Sequence, residues 1–203
     1  MKNIILKKEA RKITGGLSKP SKMPGPAYNL PASQCITGSK LVKVPGTVCH
    51  GCYALKGRYR FSNVQAALQR RAASVGHYLW VKAMSVLVKS EPWFRWHDSG
   101  DLQSVDHLKK IFEVCKATPD TKHWLPTRET GMLSLMDPAV VPSNLCIRAS
   151  GTMVDGAAPR SWPWTSTVVT KGKTCPAAEQ GNKCLDCRAC WDRNVKNVSY
   201  GKH

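Results

Sequence analysis

The sequence predicts an α/β fold, a parallel sheet or partial (β/α) barrel with cysteine-rich irregular segments at its N- and C-terminal ends. Three observations carry this. Apolar residues recur at helical spacing in three stretches. Short β-branched or aromatic runs alternate with those stretches. Three of the runs end in polar, reactive residues, the pattern expected where parallel strands feed loops at one mouth.

In order, residues 1–22 read as a basic flexible arm, with Lys2, Lys7, Lys8, Arg11, Lys12, Lys19 and Lys22 against Glu9 alone. Residues 23–203 read as a single α/β domain. Its first part is rich in Pro and Gly (Pro24-Gly25-Pro26, Pro31, Gly38, Pro45-Gly46) and suits a chain wrapped around something rigid. Val64, Ala67, Leu68, Ala72 and Val75 predict a helix, broken at Gly76. Leu79, Ala83, Val86 and Leu87 predict another, stopped at Glu91-Pro92. A strand follows over Trp93–His97. Ser104 is placed to cap the next helix, with Asp106 in its first turn and Leu108, Ile111, Phe112 and Cys115 on one face. Further strands are expected over 122–127, 144–150 and 165–169, with a mixed helix or loop across 131–143.

Nine cysteines in 203 residues need an explanation. The N-terminal apolar stretch is too short for a secretory signal. The expected compartment is therefore a reducing cytoplasm, where disulfides are rare and thiols serve as metal ligands or core residues. Cys115 and Cys146 lie on a helix face and inside a strand, so both are expected in the core. The other seven form two segments, 35–52 and 175–190: Cys35, Cys49 and Cys52, then Cys175, Cys184, Cys187 and Cys190. Cys184-x2-Cys187-x2-Cys190, completed by a distant Cys-Pro, matches the way thiolates wrap an iron–sulfur cube. Zinc ribbons use two separated Cys-x2-Cys knuckles instead. One or two [4Fe–4S] clusters are therefore expected. His50, His97 or Asp98 are alternatives for a fourth ligand beside the first three cysteines.

The strand ends supply a candidate pocket: His97, Asp98, Ser99 and Asp101 after the first strand, Arg128 and Glu129 after the second, and Arg148 at the third. Asp98 and Asp101 are expected to meet Arg128 and Arg148 there and so to grip a polar small molecule. The formal charge of +18 points to an acidic partner, nucleic acid or a host nucleic-acid-binding protein. No run of about 18 apolar residues occurs, so no transmembrane helix is expected.

The order of elements resembles the core of radical S-adenosylmethionine enzymes. Cys49-His-Gly-Cys52-Tyr53 resembles the end of that family's cysteine loop, and Ser99-Gly100-Asp101 stands where its Gly-rich acidic turn would be. Pro126-Thr127-Arg128-Glu129 and Ile147-Arg148-Ala149-Ser150 match the next two strand ends. Cys35 departs from the pattern, standing 14 residues before Cys49. More closely, Lys22–Tyr28, Val48–Ala54, Arg95–Leu102, Trp124–Glu129 and the cysteine-rich end through Asp192 resemble the phage-encoded gene-product-88 family. That resemblance implies a viral protein working in the cytoplasm of a bacterial host and no particular reaction. Three functions fit these residues: an iron–sulfur protein docking on nucleic acid, a radical S-adenosylmethionine-like enzyme with an open iron, and a zinc-stabilised structural protein.

Overall fold

The computed structural model describes residues 4–202. Residues 1–3 of the basic arm and His203 at the basic C-terminus lie outside them. The helices are α1 (Lys7–Thr14), α2 (Ile36–Leu41), α3 (Ser62–Ser74), α4 (Trp80–Val88), α5 (Val105–Ala117) and α6 (Thr130–Leu133). The strands are β1 (Ala27–Tyr28), β2 (Trp93–Trp96), β3 (Lys122–Thr127), β4 (Leu145–Val154), β5 (Thr165–Val169) and β6 (Asn197–Gly201). All six pair in parallel, in the order β1-β2-β3-β4-β5-β6. Sequential parallel order sends every loop that follows a strand to the same edge of the sheet.

The sheet divides its side chains by the two-residue period of a strand. Phe94, Trp96, Leu125, Leu145, Ile147 and Ala149 join Trp80 and Met84 of α4 and Leu108, Ile111 and Phe112 of α5 in the larger core. Trp124 and Val198 join Met23, Cys190 and Trp191 in a second cluster, against which Trp93 and Tyr200 pack. The C-terminal cysteine segment thus covers the sheet face that α4 and α5 leave free. Ser104 caps α5 as expected, its hydroxyl accepting from the His107 N–H at 3.0 Å. Cys115 and Cys146 are both core residues.

Residues 7–14, expected within a flexible arm, form a docked helix. Ile5 and Ala10 pack with Ala83 and Leu87 of α4. The Tyr28 hydroxyl donates to Thr14 O at 2.8 Å and accepts from Trp80 Nε1 at 3.1 Å, and Arg71 Nε donates to Gly16 O at 2.8 Å. The lysines face water while the short apolar face is buried, which fixes the segment despite its charge.

No helix among the described residues is long and apolar enough to cross a membrane.

Candidate metal centre

The loop after β1 carries Cys35, Cys49 and Cys52, and three neighbouring strand ends hold it. After β2, the Tyr53 hydroxyl donates to Asp98 O. After β3, the Glu129 carboxylate accepts from the Thr37 N–H at 2.9 Å and the Thr37 hydroxyl at 2.7 Å. On β4, Val48 N–H donates to Thr152 O at 2.8 Å, and Val154 N–H to Gly46 O at 2.9 Å. The loop therefore spans the mouth of the sheet.

Those anchors bring together thiols that are distant in sequence. Gly38 is the point they border: a Cβ there would lie 2.9 Å from Cys35 Cβ, 3.6 Å from Cys35 Sγ and 3.7 Å from Cys49 Sγ. Any larger residue would fill the space between the two sulfurs. Burial pushes the Cys35 thiol up to about 12, reinforced by Asp101, Cys52, Cys49 and Glu129 nearby. Burial also raises Cys49, against which the Arg128 guanidinium works. Metal binding here would displace thiol protons.

The second set is assembled against β6 and residue 22. Cys175 N–H donates to Ser199 O at 3.0 Å, and Cys184 N–H to Lys22 O at 2.9 Å. Cys190 Sγ lies 3.2 Å from the Tyr200 hydroxyl. Burial raises Cys190 to about 12 and also raises Cys184, and both feel Cys175. Cys184 also feels Cys187. Among the described residues, however, no group of three or more His, Cys, Asp or Glu side chains is arranged to hold a metal ion. The thiols are gathered in two sets without being drawn in around a centre.

The candidate pocket residues divide by how far the protein already uses them. Asp101 is fully engaged, accepting from the Thr127 hydroxyl at 2.6 Å, Arg128 N–H at 2.9 Å and Leu102 N–H at 2.8 Å. It meets the Arg128 backbone, and the expected Asp101–guanidinium pair does not form. Burial outweighs those donors and raises Asp101 to about 6. Glu129 is committed to Thr37. Ser99 donates to Leu30 O at 3.0 Å, and Gly100 (φ 75°) lets the turn pass Leu30 so closely that a Cβ would lie 2.6 Å from the Leu30 Cβ. His97 is buried at φ 61°, with Nδ1 3.0 Å from Tyr28 O and its ring 5.3 Å from that of His107. His50 is exposed.

Three members keep a buried polar atom without a hydrogen-bond partner: His97 Nε2, Asp98 Oδ1 and Arg128 Nε. Burial raises the Asp98 carboxyl, with Arg95 chief among the groups that oppose it.

Arg148 does not belong to the pocket. Its side chain is fully buried and donates to the carbonyls of Cys190, Thr165, Val195, Ala189 and Asp192. It is a clamp on the C-terminal segment. The expectation that Asp98 and Asp101 meet it fails because β4 alternates it away from the mouth. The strand also continues to Val154, so residues 148–150 are not its end.

The sequence reading missed Arg95. Its guanidinium lies 4.4 Å above the Trp124 ring, its Nη1 is 3.5 Å from Met23 Sδ, and its Nε has no partner. It is felt by Asp98 at the mouth and by Cys190 in the second set. The signal was available: one cation at an alternating position within the aromatic run Trp93-Phe-Arg-Trp.

These features define a class: an α/β protein with a sequentially ordered parallel sheet whose first strand-end loop gathers three thiols at the mouth. The chain belongs to the gene product 88 family, whose model matches residues 4–167. The matched span holds Cys35, Cys49 and Cys52 and ends before Cys175. No curated protein and no solved structure matches the chain.

Proposed function

We propose that the protein is an iron–sulfur protein with two [4Fe–4S] clusters. Cys35, Cys49 and Cys52 would hold one and leave an iron open, and Cys175, Cys184, Cys187 and Cys190 would hold a closed one. The observation that carries this reading is the gathering of Cys35 and Cys49 around Gly38 at the strand mouth, despite the residues between them. Loading must still draw the thiols in, because they are not closed around an ion.

Charge supports the second site. Arg148 is a buried cation, and among the described residues the ion pairs are Lys110–Asp106, Lys116–Glu113 and Lys173–Glu179, none of which involves it. Carbonyl dipoles alone solvate it. A thiolate-bound cluster beside Cys190 is a net anion and would supply the missing counter-charge to Arg148 and Arg95.

An open iron at the mouth suits an enzyme of the radical S-adenosylmethionine kind. When bound, the cluster supplies an electron and a coordination site; the chain's own residues bind and orient the ligand. Asp98 and Arg128 are the groups left to meet an amine and a carboxylate, while Asp101 keeps the two strand ends in register. The test is titration of S-adenosylmethionine into anaerobic, reduced protein. A change in the cluster's paramagnetic signal with deoxyadenosine formed supports the enzyme. A signal that does not move leaves an iron–sulfur protein without that reaction. The net charge of +18 favours nucleic acid as the macromolecular partner.

A further inference from the structure

The thiol-bearing loop and its continuation combine unbalanced positive charge with exposed rings. Residues 36–61 hold Lys40, Lys43, Lys56, Arg58 and Arg60 and no Asp or Glu. The same segment exposes large apolar side chains, Tyr53 at 52% and Phe61 at 59% among them. Exposed rings among unpaired positive charges fit a polyanion with apolar faces. Single-stranded nucleic acid is such a partner: phosphates meet the cations and unstacked bases cover the rings.

The two tyrosine rings of the segment are also fixed. The Tyr53 hydroxyl is tied to Asp98 O, and its ring packs edge to face on Tyr59 at 5.8 Å. The Tyr59 hydroxyl lies 3.5 Å from Asp98 Oδ2. Tyr53 is therefore an anchored platform, immediately beside Cys52, with about half of it open. A ring held in place loses little conformational entropy on stacking.

We infer that Tyr53, Tyr59 and Phe61, with Lys56, Arg58 and Arg60, bind single-stranded nucleic acid across the mouth and present a nucleotide to the Cys35–Cys49–Cys52 site. This names the substrate class of the site under the iron–sulfur reading and rests on that reading for any chemistry. Binding itself does not require the cluster.

The experiment uses the full chain, purified anaerobically with its iron content measured, and fluorescein-labelled 12-nucleotide single strands of oligo-dT and oligo-U. Affinity is read by anisotropy across a salt series. Phe61→Ala, at an exposed position, should weaken binding about tenfold, in the range of one lost base stack. Replacing Lys56, Arg58 and Arg60 together by Glu should flatten the salt slope. Iron content should be unchanged in both. Preference between the two strands distinguishes DNA from RNA, and either preference supports the inference. A duplex of the same length binding as tightly, polyglutamate competing equally well, or Phe61→Ala leaving affinity unchanged would overturn it. Iron absent while Phe61→Ala still weakens binding would remove the cluster and leave the binding site standing.

Discussion

Glu129 at the end of β3 holds Thr37 in the cysteine loop with both carboxylate oxygens, one on the backbone N–H and one on the hydroxyl. This bidentate contact links the sheet to the segment between Cys35 and Gly38. It turns a long, glycine- and proline-rich loop into a fixed wall of the mouth. Hydrogen bonds to a charged group contribute about 1.5–3 kcal/mol each.

Glu129→Gln should therefore destabilise the fold by about 1–3 kcal/mol and lower iron retention at the first site more than at the second. Urea denaturation and iron counts on Glu129→Gln, alone and combined with Cys184→Ser, check this. Equal iron loss from both sites would show that the contact does not position the loop.

Arg148 should be the least replaceable cation. Arg148→Met leaves five carbonyls without their donor and should cost more than about 4 kcal/mol. Limited proteolysis should then cut between residues 175 and 195 before the sheet is attacked. Arg148→Lys should rescue part of the stability, because one ammonium cannot reach all five oxygens.

Acid should weaken the fold below neutral pH. Burial lowers His107 to about 4 and His123 to about 3, and lowers His97 as well. These imidazoles are neutral in the native state and protonate on unfolding below about 6.5, so the stability they contribute is present above that pH and is lost as pH falls. Asp101 acts in the opposite sense, favouring the native state below its raised value of about 6. Asp98, whose carboxyl burial also raises, acts with Asp101, and the three histidines outweigh the two aspartates, so the urea midpoint should be lower at pH 5 than at pH 7.5. An equal midpoint would contradict this balance.

Much of this architecture could be read from the residues. The apolar spacing of Val64–Val75, Leu79–Leu87 and Leu108–Cys115 fell on α3, α4 and α5, and the runs at 93–97, 122–127, 144–150 and 165–169 fell on β2 to β5. The two edge strands were not legible. β1 is two residues long and follows Pro24-Gly25-Pro26, and β6 lies in a basic tail whose neighbours only the fold supplies. The basic arm hid α1 because charge dominates its composition while a few apolar residues, Ile5 and Ala10 among them, decide its burial. Arg148 is expected at the mouth on sequence alone because sequence gives a strand's alternation without saying which face is which.

The metal assignment can be divided by cysteine. Cys115→Ser changes a core thiol and should leave the metal content unaltered, whereas Cys184→Ser or Cys187→Ser should remove one cluster and leave the other. A drop in iron for Cys115→Ser equal to that for Cys184→Ser would assign the thiols differently.

The most direct test of the central claim is the metal and sulfide content of the anaerobically purified protein, read with its visible spectrum. The account predicts about eight irons and as many acid-labile sulfides per chain, with a broad band near roughly 400 nm. Zinc without sulfide, or a colourless protein after iron and sulfide are supplied under reducing conditions, would contradict it.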